Sequence, residues 1–457
     1  MYLTTATRSA LRRKRGHMGY KTYTCPIARE CGGCEWLAVP YPIQLKRKGA
    51  FVEELFKKMV EADGATLDDV RAMDDPRGYR HKAATPFAPG KARGRKDRNR
   101  QAQGHSGRGA DARRGPSSRR ILSGFYAAGT HRIVRTDECL VEAPQARAIL
   151  NDVARVGERL DIRAYQEDRG RGMLRHAVVR VGWKTGEVLL TVVTNGQQLP
   201  RERAFVEALT KAHPEITTIV QNVNQRQTNA ILGRESRVLF GPGMIRDELL
   251  GCTFEIGPTT FYQTNPEQTE VLYRLAIDGA ALEDGSRVLD AYCGCGTIGI
   301  CAASAARETG LDVSVTGIEQ VEGAVRAARR NARANGLADA CRFVAGDATE
   351  YMARLAGSSG GSGSSRSAGR SPARDGSQSD VVIMDPPRAG STPEFLAGVL
   401  ALAPRRVVYV SCNAVTQARD LKQLRAGGYR LERLTPVDMF PHTKHVETVA
   451  VLSRADG

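Results

Sequence analysis

The chain has 457 residues, enough for two or three separate cores, which excludes a miniature disulfide-held scaffold. Hydrophobic residues make up 41% and charged residues 26%, and no stretch approaches the roughly 20 uninterrupted apolar residues of a membrane span, so a soluble, non-membrane protein is expected. The net charge of +17 is concentrated in residues 1–24 (+6), 91–120 (+9) and 357–379 (+2), and clustered Lys and Arg outside a neutral body point to a polyanionic partner, because they release counterions from phosphates.

The first 24 residues have no acid and lack the apolar core and cleavage site of a secretory signal, which predicts a basic disordered head on a cytoplasmic protein. Cys25, Cys31 and Cys34 follow in a C-x5-C-x2-C pattern, with Gly32 and Gly33 allowing a tight fold and Cys139 arriving later. In a cytosolic chain such thiolates predict a metal site, and the spacing alone leaves zinc and an iron–sulfur cluster both open. Cys252, Cys293, Cys295, Cys301 and Cys341 match no ligand pattern and are expected to pack in cores.

Residues 90–118, rich in Gly, Arg and Ser, and 357–379, nearly pure Gly, Ser, Ala and Arg, bury too little apolar surface to order and are expected as disordered loops. Between them, apolar runs at Ile121–Phe125, Ala177–Val181, Val188–Val193 and Ile216–Val223 predict strands, with helices over Ala143–Val156 and Glu202–Ala212. This describes a β-rich middle region whose topology the pattern does not reveal.

From Ser286 the pattern becomes strand, turn, helix, repeated, with strands at Arg287–Tyr292, Val313–Ile318, Cys341–Ala345, Val381–Met384 and Arg406–Val410. That is the signature of a doubly wound parallel sheet, which takes ligands at the carboxyl ends of its strands. Two closing runs, Tyr429–Leu434 and Val446–Leu452, favour a methyltransferase fold over a dehydrogenase. The turn after the first strand carries Gly294, Gly296 and Gly299 as G-x-G-x-x-G, and Glu319 closes the second strand where a carboxylate can accept ribose hydroxyls. The third strand ends at Asp347, the fourth runs into Asp385-Pro386-Pro387-Arg388, and the fifth into Ser411-Cys412-Asn413. A thiol at such a strand end is placed to attack a ligand held over the sheet, and the polar run Pro441–Thr448 offers Glu447 as a general base. Thiol, carboxylate and methyl-donor site together suggest addition to uracil C6, methylation at C5 and loss of the C5 proton.

These residues resemble the S-adenosylmethionine-dependent RNA uracil-C5 methyltransferases. The resemblance runs through Phe261–Asn265 with Glu267 and Gln268, Asp290–Gly299, Asp385–Gly390, Tyr409–Asn413 with Ala418-Arg419-Asp420, and Pro441–Thr448. It implies Cys412 as nucleophile, Glu447 as proton-abstracting base, and cofactor contacts from Gln263, Tyr292, Glu319, Asp347 and Asp385. It further implies a [4Fe-4S] cluster on Cys25, Cys31, Cys34 and Cys139, as in the branches that modify 23S rRNA. Many relatives begin with a small RNA-binding β-barrel, for which the stretch before Cys25 is too short.

The expected architecture is therefore α/β: a Rossmann-like class I methyltransferase domain with a seven-stranded, mostly parallel sheet, preceded by an iron–sulfur segment and a β-rich central domain. The division is a head at 1–24, a cluster region at 25–60 plus about 121–142, an RNA-binding region at 61–260, and a catalytic domain at 261–457. The expected activity is 23S rRNA uracil-C5 methylation by a monomer. Its rivals are the same chemistry on the T-loop of tRNA and a non-catalytic RNA-binding or ribosome-assembly role, which has no need of both Cys412 and Glu447. Cytosine-C5 enzymes usually place Pro-Cys after the fourth strand, where this chain has Asp385-Pro386-Pro387.

Overall fold

The computed structural model describes residues 21–90, 120–359 and 379–455. Most of the head, of the basic insertion and of the Gly/Ser loop falls outside those residues, and with them the expectation of disorder there.

A cysteine-bearing segment leads into α1 (Tyr41–Asp63) and the two-residue β1 (Thr66–Leu67). The middle unit then comprises β2 (Lys82–Pro89), β3 (Ile121–Tyr126), β4 (Ile133–Arg135), α2 (Ala146–Arg159), β5 (Leu174–Val181), β6 (Val188–Thr194), α3 (Glu202–Ala212), β7 (Ile216–Val223) and β8 (Glu235–Phe240). Its sheet runs β4-β3-β2-β5-β6-β7-β8, antiparallel except where α3 carries the chain from β6 to a parallel β7. A crossover of that length is what a parallel pair requires. The core lies between sheet and helices, with Ile149, Leu150 and Val153 of α2 and Phe205 and Leu209 of α3 fully buried beside Leu190 and Val192.

A hairpin of β9 (Ile245–Leu249) and β10 (Cys252–Ile256) turns through Leu250 and Gly251, both at positive φ, and leads to the catalytic unit. This comprises α4 (Pro266–Ala280), β11 (Arg287–Ala291), α5 (Thr297–Glu308), β12 (Ser314–Glu319), α6 (Glu322–Ala334), β13 (Cys341–Ala345) and α7 (Ala348–Ser359). It closes with β14 (Val381–Met384), α8 (Pro393–Leu402), β15 (Arg406–Ser411), α9 (Ala414–Ala426), β16 (Tyr429–Val437) and β17 (Glu447–Arg454). The sheet order is β1-β16-β17-β15-β14-β11-β12-β13, with β17 antiparallel to both neighbours. The strand order reverses between β11 and β14, the switch point at which such sheets bind ligands.

The sheet has eight strands rather than the expected seven, because β1 pairs in parallel with β16. Helix α1 also joins this unit, although it lies within the segment assigned from sequence to the cysteine region: Val52, Phe56 and Met59 pack with Leu431 and Leu434 of β16. The reason is its apolar face, which packs against β16 and α9. One turn earlier on the same helix, the fully buried Lys48 Nζ lies 2.5 Å from Asp438 Oδ1, and Tyr41 Oη donates to the other oxygen at 2.8 Å. Removing one partner strands a buried charge, so Asp438→Ala should destabilise the fold by about 3–5 kcal/mol. Chemical denaturation checks this, and a loss below about 1 kcal/mol would mean that water reaches Lys48.

Candidate active site

Five loop segments meet at the carboxyl edge of the catalytic sheet and enclose a cleft of about 610 Å³ against the middle unit. From the sequence-predicted set, Gln263, Tyr292, Glu319, Asp385, Cys412 and Glu447 all line it. Asp347 does not appear on that wall. Its Oδ1 instead accepts from the backbone N–H groups of Thr349 (2.8 Å) and Glu350 (3.1 Å), satisfying the first turn of α7.

The Gly-rich turn is built by its own sterics. Gly296 starts α5 at φ 83°, where a Cβ would lie 2.8 Å from the Phe343 ring, and a Cβ on Gly299 would lie 2.8 Å from Asp290 Oδ2. Gly294, at φ 56°, faces open space, so the outer side of the turn is free to meet a ligand. Glu319 spans the turn beside it, accepting from Gly294 N (3.2 Å) and Val321 N (2.7 Å). Tyr292, itself at φ 63°, packs on Phe395 at 5.2 Å between ring centroids and fixes the other wall.

Cys412 and Glu447 are 35 positions apart in sequence and meet through strand register. Ser411, the last residue of β15, is the Cα partner of Thr448 on antiparallel β17; Cys412 follows Ser411 just beyond its strand and Glu447 precedes Thr448 as the first residue of β17. Helix α9 secures the pair from below: Gln417 Nε2 donates to Tyr409 O (2.8 Å) and its Oε1 accepts from Thr448 Oγ1 (2.7 Å). Asp420 of the same helix accepts from Tyr409 Oη (2.7 Å) and Ser391 N (2.9 Å), which fastens the Asp385–Gly390 loop.

The electrostatics are those of a dry site. Burial pushes Glu447 up to about 8, with Asp385 adding to the rise, and burial pushes Asp385 up to about 7. Burial also pushes the Cys412 thiol up to about 11; Glu447 and Asp385 raise it further and Arg388 opposes them. The cleft therefore holds a neutral thiol beside carboxyl groups that titrate near neutrality, the range in which a carboxyl exchanges protons usefully.

The loop that delivers Glu447 is held from the amino-terminal side, which the sequence reading missed. Gln44 of α1 accepts from His442 N (2.8 Å), and its Nε2 donates to Trp36 O (3.0 Å) and Val39 O (2.7 Å). His442 sits at φ 65° with Nε2 2.9 Å from Pro76 O, and Lys48 donates to Phe440 O at 3.1 Å. The polar run Pro441–Thr448 was visible in sequence, but nothing in it pointed to partners nearly 400 positions earlier. Arg80 and Lys82 of the middle unit, also missed, form part of the cleft wall; the sequence signal was the basic run Arg80-His81-Lys82.

The four predicted metal-binding cysteines are all free and half-buried. Cys31 bridges to Ala127, and Cys34 and Cys139 both pack against the small cluster of Met73, Tyr79 and Val141. Burial pushes Cys34 up to about 12, and Cys139, Cys31 and Cys25 each add to it, so the four sulfurs share one neighbourhood. Yet among the described residues no three His, Cys, Asp or Glu side chains are arranged to hold a metal ion. Thiols are suitable donors for a soft metal, but the side-chain geometry among the described residues does not close a ligand set. Cys252, Cys293, Cys295, Cys301 and Cys341 are buried, as expected of packing residues.

Residues 243–455 match the family model described as tRNA (uracil-5-)-methyltransferase. An uncharacterized RNA methyltransferase of Halalkalibacterium halodurans is 36% identical over 428 residues, covering 94% of this chain and 82% of the relative. Another, of Staphylococcus aureus, is 36% identical over 429 residues, covering 94% and 83%. The crystal structure of the Pyrococcus abyssi tRNA (uracil-54, C5)-methyltransferase in complex with S-adenosyl-L-homocysteine superposes with a TM-score of 0.66 at 27% identity, over 92% of this chain and 86% of that one. With that family model matched and relatives 36% identical over 94% of its length, the chain belongs to the RNA (uracil-5-)-methyltransferase family.

Proposed function

We propose that the chain methylates C5 of a uridine in 23S rRNA, using S-adenosylmethionine, through a covalent bond between Cys412 and uracil C6. The observation that carries this reading is that Cys412 and Glu447, flanking the Ser411–Thr448 pair, line the same cleft as the Gly-rich turn. Gln263, Tyr292, Glu319 and Asp385 are the residues that would hold the cofactor, with Asp347 at most an outer contact. When bound, the cofactor supplies an electrophilic sulfonium methyl group.

Cys412 passes its proton to solvent water and adds as the thiolate to C6, which breaks the 5,6 double bond and makes C5 enolate-like. C5 takes the methyl group and then carries both a hydrogen and a methyl. Glu447 removes that hydrogen as a proton, the double bond reforms, and the C6–S bond breaks to return Cys412. Arg388, which opposes the upward shift of the thiol, stabilises the anionic sulfur. A splayed-out uridine is the substrate form such a cleft requires, since uracil C6 is unreachable in a stack.

The choice of 23S rRNA is supported by the convergence of Cys25, Cys31, Cys34 and Cys139, the pattern of the rRNA-modifying branch. The tRNA alternative is favoured by the Pyrococcus abyssi enzyme, whose printed substrate is uracil 54 of tRNA. Mapping 5-methyluridine by mass spectrometry in both RNAs from a deletion strain separates them: loss from 23S rRNA alone is expected, and loss from tRNA alone would reverse the assignment.

The cysteine cluster is proposed as a structural [4Fe-4S] site, because the methyl transfer is polar and needs no electron. Anaerobically purified protein should be brown, with about four iron atoms per chain and a broad absorption near 400 nm. Stoichiometric zinc without iron, or no metal at all, would remove the cluster and with it the main support for the rRNA branch.

A further inference from the structure

Two neighbouring cations, half-buried Lys82 and buried Arg180, lie beside the cleft with no carboxylate paired to them among the described residues. Lys82 of β2 and Arg180 of β5 are Cα partners on antiparallel strands, so their side chains project from the same face of the sheet. Lys82 forms part of the cleft wall, and Arg180 is only 5% exposed. Arg180 Nη2 donates to the Thr260 carbonyl at 2.5 Å, and its Nε has no partner. His81 N donates to Thr264 O at 2.7 Å, which sets this strand edge against the Gln263–Thr264 strip of the cleft. Arg80 lies two residues before Lys82 and lines the same cleft.

Among the described residues, buried Lys48 is matched by Asp438 and Arg147 by Glu142, while buried Arg175 donates to the Asn224 and Arg226 carbonyls at 2.6 and 2.9 Å. For Lys82 and Arg180 no carboxylate among the described residues offsets the cost of burial. Burial pushes Lys82 down to about 8, with Arg180 lowering it further, and burial lowers Arg180 to about 10, opposed only by the Cys295 thiol of the Gly-rich turn. Holding two desolvated positive charges together without an anion is expensive, and a binding cleft is where a ligand can offset that expense.

We propose that Lys82 and Arg180, with Arg80, form an anion subsite of the cleft that takes a carboxylate or phosphodiester oxygen of a bound ligand. Two sources share that chemistry under the proposed function: the α-carboxylate of the methyl donor's amino-acid moiety, and a phosphate of the RNA strand beside the target uridine. The proximity of Arg180 to Cys295 suits the first, and the position of Lys82 on the middle-unit wall suits the second. The subsite rests on that function only for the names of its two ligands.

The test uses the full chain with Lys82→Met, which keeps the stem and removes the charge, and Lys82→Arg, which restores the charge. Three affinities are measured by calorimetry: S-adenosylhomocysteine, methylthioadenosine, which lacks the carboxylate, and a uridine-containing RNA hairpin. A carboxylate ligand predicts that Lys82→Met weakens S-adenosylhomocysteine at least tenfold and leaves methylthioadenosine unchanged. A phosphate ligand predicts a similar loss for RNA, with the slope of log affinity against log salt reduced by about 1. In either case Lys82→Arg retains most of the binding. If Lys82→Met leaves S-adenosylhomocysteine and RNA binding unchanged, or if Lys82→Arg weakens them as much as Lys82→Met does, the anion subsite is wrong. Failure of the catalytic reading shows separately, as activity that survives Cys412→Ala, and does not alter these affinity ratios.

Discussion

Cys412→Ala should lower methyl transfer to RNA by roughly 10⁴-fold or more, the scale of loss when a covalent nucleophile is removed. It should also abolish any protein–RNA complex that survives denaturant. Binding of RNA and cofactor should change little, because the side chain is half-buried at the end of β15 and fills no core. Cys412→Ser should be nearly as inactive. A thiol already pushed up to about 11 by burial and two carboxyl neighbours is a demanding group to ionise, and an alcohol in its place ionises far less readily. Labelled methyl incorporation and a denaturing gel read both quantities. Retained activity in Cys412→Ala would exclude covalent catalysis by this residue.

Glu447→Gln should separate the two halves of the reaction. An amide cannot accept the C5 proton, so addition and one methyl transfer proceed, elimination stalls, and a methylated covalent complex accumulates. The wild type should show the same residue in its pH profile. With Glu447 pushed up to about 8 by burial and by Asp385, the carboxylate form grows as pH rises, so turnover limited by elimination should climb about tenfold per pH unit below about pH 8 and then level off. Glu447→Gln should lack that limb. If Glu447→Gln forms no adduct while Cys412 remains intact, Glu447 acts before methyl transfer, by orienting the uracil, and the assignment of the base moves elsewhere.

Much of the catalytic unit was legible because parallel strands buried on both faces read as apolar runs. Val381–Met384 and Cys341–Ala345 match the observed strands residue for residue, and Ile216–Val223 does so in the middle unit. The residues at strand ends were legible too, since a doubly wound sheet can present them only at one edge. What the sequence hid were contacts closed over long separations. Helix α1 carries a normal amphipathic pattern, and nothing local says that its apolar face covers β16 or that Lys48 meets Asp438. The strand β2 was overlooked because Lys82–Pro89 contains two prolines and no long apolar run; its pairing with β5 and β3 is set by the sheet around it. Asp347 was assigned a cofactor contact by the family resemblance, and in the structure its carboxylate caps the first turn of α7.

The central claim is a covalent bond between Cys412 and uracil C6 that Glu447 resolves, and 5-fluorouridine-substituted RNA tests it most directly. Fluorine at C5 cannot leave as a cation, so no base can complete the elimination after methyl transfer. Incubation of the protein with this RNA and S-adenosylmethionine, followed by protease and nuclease digestion and mass spectrometry, should yield a single peptide containing Cys412 that carries a methylated fluorouridine. A cross-link on any other residue, or methylated product with no cross-link, would contradict it.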